Sequence, residues 1–366
     1  MNPRQRLLTT LKGGVADRVP LILQGFHCES TQEIGDPARR EIADRIHSEI
    51  HYFIHCPAFI NRYLVTPPQR MKEVCREGQN GNLRVTTEID TPKGKLTAVT
   101  HRNPVSHTIW TVKYPVESLA DIEKIRSVPW ESPPDLAPPD LSDIPDSFNS
   151  RGIVRAGISS PMVCVAGMMP YDYFLELCAT ELTVIKELTA ICFVRILSVL
   201  DVVLSAGTVE YVWMGGCEWL TPPMGSAELY EELVQPFESE VIKRIHADGA
   251  LSHVHCHGNV RSTLERVIDR GGDYFEPVEP PPDGDITFAE AKALAGGRIT
   301  LGGNIEARVI EHESADCVEQ ATRSAFEGGK KRMVLQTTAH PISELTPRMT
   351  ENYHRMIDVW EELAAI

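Results

Sequence analysis

From about residue 150 onward the chain alternates short β-branched and apolar runs with longer amphipathic stretches, and this restricts its fold more than any other feature. Strands separated by helices cannot form hairpins; they pair in parallel through crossover connections. The strand-like runs are 153–159, 211–215, 251–257, 274–278, 300–304 and 333–337. Helical spacing follows at 227–246 with Gly249 as a stop, at 261–269 before Gly271-Gly272, and at 347–363. A further run, 19–24, behind a short amphipathic N-terminal helix, supplies a seventh strand and leaves the eighth unassigned. The expected class is α/β, a (β/α)₈ TIM barrel spanning residues 1–366 as a single domain.

Two segments interrupt this pattern. Residues 85–112 alternate β-branched and polar side chains around Pro92-Lys93-Gly94, which predicts a β-hairpin inserted in the N-terminal half. Residues 130–146, rich in Pro, Asp and Ser, predict a surface connection. A hydrophobic content of 42% suffices for a large core. The nine cysteines are scattered without the spacing of a disulfide framework, so a reducing, cytoplasmic setting is expected. A net charge of −15 repels nucleic-acid phosphates and anionic lipid. No apolar run of about 18 residues exists to span a membrane or direct export. An acidic surface fits either a monomer or a homodimer.

The chemistry concentrates at strand ends, where barrels carry their active sites. In His253-Val254-His255-Cys256-His257-Gly258-Asn259 the period of a strand puts His253, His255 and His257 on one face and Cys256 on the other. Converging imidazoles favour a divalent metal over a satisfied histidine core. His340, after the last strand, is the candidate third ligand, with His253 as the alternative. The same alternation argues against a cysteine nucleophile at Cys256. Glu218, in the loop after 211–215, and Glu279, in the carboxylate-rich run after 274–278, are the candidate catalytic residues. Asp285 is expected to cap the helix beginning near Ile286. Gln24, Trp219, Asn304 and Gln336 are candidate substrate-binding residues, with Gly302-Gly303 permitting close backbone approach before Asn304.

Taken together, Arg4-Gln5-Arg6-Leu7-Leu8 followed by Asp17-Arg18-Val19-Pro20, the His-x-His-Gly segment, Gly303-Asn304-Ile305, and Glu351-Asn352-Tyr353 resemble the uroporphyrinogen-decarboxylase superfamily across nearly the whole chain. The superfamily includes the decarboxylase and the zinc-dependent, corrinoid-linked methyltransferases. The decarboxylase holds its porphyrinogen's acidic arms with an arginine-rich segment after the first strand. Here that place reads Gln24-Gly25-Phe26-His27-Cys28-Glu29, so porphyrinogen decarboxylation is disfavoured.

In the methyltransferase branch, zinc is bound by His-x-Cys-Gly and a later Cys. The resemblance places His255, His257 and His340 at those three positions. Three neutral imidazoles leave Zn²⁺ fully cationic and a stronger Lewis acid than two thiolates would. The resemblance thus implies methyl transfer from a small, methoxylated donor to a corrinoid protein, with Zn²⁺ as cofactor. The same ligands also suit a zinc-dependent decarboxylase, lyase or hydrolase on a small oxygenated substrate, or a non-catalytic metal-stabilised barrel.

Overall fold

The computed structural model describes residues 1–57, 60–104 and 108–366. Its strands are β1 (Leu21–Ile22), β2 (Tyr52–His55), β3 (Met71–Gln79), β4 (Asn82–Thr91), β5 (Gly94–Arg102), β6 (Trp110–Lys113), β7 (Gly152–Ser159), β8 (Tyr211–Gly215), β9 (Leu251–His255), β10 (Tyr274–Glu276), β11 (Thr300–Ile305) and β12 (Met333–Thr337). Eight of these form a curled, TIM-barrel-like parallel sheet in the order β1-β12-β11-β10-β9-β8-β7-β2. Its two end strands meet through His27, whose Nδ1 lies 3.1 Å from the His51 carbonyl just before β2. The strand missing from the sequence-based count is β2. Its four residues are too short a run to show a period.

The other four strands make an antiparallel sheet in the order β3-β4-β5-β6. The single hairpin expected over 85–112 is therefore part of a larger sheet, and the physical reason is plain. Every residue of β3 is exposed, so neither of its faces carries the apolar alternation by which a half-buried strand is recognised. The expected helix 227–246 is also two helices, Ala227–Leu233 and Gln235–Ala247. Pro236 sits in the first turn of the second, where its missing N–H costs nothing but would break a continuous helix.

Parallel register fixes what shares the sheet's inner face. Arg155, Tyr211 and Leu251 form one row; Gly157, Trp213, His253 and Tyr274 the next; Ser159, Gly215, His255 and Glu276 the one nearest the strand ends. Below these rows the N-terminal helix Pro3–Leu11 closes the sheet's N-terminal end. Asn2 and Gln5 form its capping box. Its Leu7 and Leu11 pack with Ile22, Ile153, Tyr274 and Val334, each burial contributing roughly 1.5–3 kcal/mol. A second, much larger apolar cluster lies between the sheet and its outer helices. With the bottom sealed, open space is left at the C-terminal mouth. Among the described residues, no helix is long and apolar enough to cross a membrane.

Candidate metal and substrate site

Glu276, 2% exposed, is the hub of the mouth. Its Oε1 lies 2.8 Å from His253 Nε2 and 2.7 Å from His255 Nδ1. Its Oε2 accepts from the Gln336 amide at 2.7 Å, and Gln336 Oε1 in turn accepts from the Tyr274 hydroxyl at 2.5 Å. Burial works to raise the Glu276 pKa, but His255 and His253 outweigh it and hold the carboxyl well below its usual range. An ionised carboxylate can only accept, so both ring nitrogens facing it carry protons. His253 is held below its ordinary pKa by burial. For His255 burial acts in the same direction, yet the adjacent Glu276 wins and raises it.

His257 repeats the device one turn of chain later. Its Nδ1 is 2.7 Å from Glu279 Oε1, while Glu279 Oε2 accepts from the Gly258 N–H at 2.6 Å. Gly258 has φ +83°, the left-handed region in which a side chain would be strained, so the chain can turn that N–H onto the carboxylate. The His255 and His257 rings meet edge to face with centroids 4.6 Å apart. Gly302 is required by close approach. A Cβ there would sit 2.3 Å from the Tyr274 hydroxyl and 2.8 Å from Glu276 Cβ.

Beside this network lies a cavity of about 450 Å³, lined by Gln24, His27, Phe53, His55, Arg155, Tyr211, Trp213, His253, His255, Glu276, Gln336 and His340 among others. Burial lowers the His27 pKa to about 4. The wall thus combines imidazoles and aromatic rings around one guanidinium, with burial working against charge on His27, His55 and His253.

The uroporphyrinogen decarboxylase (URO-D) family model matches residues 107–363. The chain belongs to the URO-D family. Among solved structures, a methyltransferase from Methanosarcina mazei is 14% identical, covers 99% of each chain and superposes with a TM-score of 0.61, which shows the shared fold. A B12-independent methionine synthase from Shewanella sp. W3-18-1, solved with selenomethionine, is 10% identical over 80% of this chain and 75% of its own, with a TM-score of 0.42. A search of curated proteins found no significant match.

Within this URO-D fold, the residues singled out from sequence divide by position. Gln24, Gln336, His255 and His340 line the cavity. His257 and Glu279 are bonded to each other beside it. Asn304 is buried next to Gln336 in the β11–β12 register. Trp219 packs edge-on against Tyr171, centroids 5.4 Å apart, while Trp213 forms the cavity wall. Glu218 lies in the 3₁₀ turn Cys217–Leu220, its Oε2 accepting from the Gly216 N–H at 3.0 Å.

The described residues contain one group of three ligand-type side chains whose donor atoms all lie within 4.8 Å of one another: Cys217, Glu218 and Cys256. His255, His257 and His340 do not form such a group. Cys256 is on the opposite face from the histidines, as strand alternation requires, and burial keeps its thiol protonated well above neutral pH. Asp285 corrects an expectation. The helix Phe288–Ala295 is capped by Thr287 with Glu290, whereas Asp285 accepts from the backbone N–H of Arg261 and so serves the start of Arg261–Asp269. Sequence reasoning passed over Glu276 and Arg155. Register would have found both: Glu276 pairs with His255, and Arg155 is a charged residue on the inner face of β7.

The donor set suits a divalent metal. His255 and His257 each give Nδ1–H to a glutamate, which leaves Nε2 as the nitrogen that could bind a metal. Among the described residues, His253 Nδ1 is buried without a hydrogen-bond partner, so polar capacity remains in the same wall.

Proposed function

We propose that the protein is a zinc-dependent methyltransferase that takes a methyl group from a small methoxylated substrate and passes it to a corrinoid carried by a separate protein. The observation that carries this reading is the pair of histidines, His255 and His257, each set by its own glutamate at 2.7 Å. With His340 from the loop after β12, they would hold the metal. When bound, zinc supplies Lewis acidity toward an ether oxygen. The chain's own residues do the rest. Glu276 and Glu279 hold the two rings in one orientation, and Gln336, fixed between Tyr274 and Glu276, keeps the hub carboxylate in place.

Gln24, from the cavity lining, and Glu218, near His255, would orient the substrate. The closed bottom of the sheet makes the mouth the route by which substrate enters and methyl leaves. A methyltransferase built on the same fold supports the reaction class.

The test follows a reduced corrinoid protein by its absorbance as a methoxylated substrate and zinc-loaded enzyme are added. Methylation is expected with the wild type and should fall about 10- to 100-fold in Glu279→Gln. Turnover that proceeds without the corrinoid protein would contradict methyl transfer and move the activity to a lyase or hydrolase.

A further inference from the structure

Buried arginines elsewhere in this chain are tied to backbone carbonyls or to a carboxylate. Arg151 donates to the carbonyls of Ile50, Cys28 and Glu29 at 3.0, 3.0 and 3.2 Å. Arg195 donates to those of Tyr63 and Val128, both at 2.6 Å, and Arg270 pairs with Glu238. Arg155 differs. It interacts with the Tyr211 hydroxyl and lies 4.0 Å over the Phe53 ring, and it has no carboxylate partner among the described residues. A guanidinium has five N–H donors, and among the described residues only the Tyr211 hydroxyl engages them by a side-chain hydrogen bond.

Its location makes that capacity accessible. Arg155 lines both the main cavity and an adjoining one of about 310 Å³ shared with His55, Trp213 and Gly157. Gly157, the next inward position of its own strand, keeps the column above it open. Among the described residues, a Cβ there would touch only Ile60 at 3.5 Å and Trp213 at 3.9 Å. The one carboxylate in the cavity, Glu276, has both oxygens engaged by His253, His255 and Gln336. In a chain of net charge −15 the long-range field repels anions, but it is screened within about 8 Å at physiological salt, leaving the local guanidinium to decide.

We infer that Arg155 is the substrate's anion site: it takes a carboxylate, while Phe53, Tyr211 and Trp213 flank the ring that bears it. Arg155 stands four residues of strand rise, about 13 Å, below the level of His255. A substrate bound by its carboxylate therefore extends toward the histidines with its opposite end leading. This orientation rests on the methyl-transfer reading for what happens at that far end; the binding claim does not.

Calorimetric titration of the metal-free full chain with 4-methoxybenzoate and with its neutral isostere 4-methoxybenzamide separates the two. The acid should bind at least about 10-fold more tightly, because a charge-assisted bidentate pair is replaced by a neutral contact. Arg155→Met should abolish the preference, and Arg155→Lys should keep part of it. Gly157→Val, which fills the open column, should weaken both ligands alike. If the Met variant does not fold, the wild-type ratio and the Lys variant decide. Equal affinity for acid and amide in the wild type, a preference that survives Arg155→Met, or no binding of the acid at millimolar concentration would each overturn the inference. Acid-selective binding without methyl transfer in the complete assay would instead count against the proposed reaction alone.

Discussion

Glu276 closes β10 and Glu306 follows β11, one strand away; both carboxyl groups are buried, yet they titrate in opposite directions. Glu276 is surrounded by donors on both oxygens and stays ionised. Among the described residues, the Glu306 carboxylate accepts one side-chain hydrogen bond, from the Thr338 hydroxyl at 3.3 Å, and its Oε1 has no hydrogen-bond partner. Burial, with Glu279 and Asp283 adding repulsion, pushes its pKa up to about 7. The difference teaches that burial alone says little about charge at this mouth. What decides is whether the neighbouring strand delivers imidazoles or more carboxylates.

The largest expected effect comes from breaking the first half of that comparison. Glu276→Ala leaves two imidazoles and an amide without their common acceptor. It should cost about 3–5 kcal/mol in urea unfolding at pH 7, the range for removing one partner of a buried charged set. A loss below about 1 kcal/mol would mean that the hub is not an ionised acceptor.

The second half gives a gain instead. Below its ordinary value of 4.5, Glu306 is protonated whether folded or unfolded, and stability is unaffected. As pH rises from there toward 7, the unfolded chain ionises while the folded one does not, so stability falls, reaching the full penalty above pH 7. In metal-free protein, Glu306→Gln should therefore be more stable than wild type by about 3 kcal/mol at pH 8 and no different at pH 4. Equal stability of the two proteins at pH 8 would count against a raised pKa.

A smaller effect sharpens the packing behind the comparison. Gly302→Ala forces a methyl group against Tyr274 and Glu276, and should cost about 1–3 kcal/mol, with a change in the tyrosine near-ultraviolet dichroism as the network shifts.

The same contrast marks what the sequence could and could not disclose. Strands buried on both faces, such as 211–215 and 333–337, were legible because their apolar composition and bounding turns are local properties. β2 was not, since four residues carry no period, and β3 was not, since both its faces are wet. At the site, the clustering of His253, His255 and His257 could be read directly. Their partners could not, because Glu276 reaches His255 through inter-strand register and Gln336 arrives from 60 residues away. Glu279 was singled out as a catalytic candidate, and in the structure it orients His257. Arg155 was passed over because a single charged residue within a short apolar run reads as noise until the sheet curls it inward.

The most direct test of the proposed metal site at the mouth is elemental analysis of protein purified without a histidine tag, beside a His255→Ala, His257→Ala double variant. The account predicts about one zinc per wild-type chain and none in the variant, with the fold of both checked by circular dichroism. A wild type that holds no metal even after zinc is offered, or a variant that keeps it, would contradict the account.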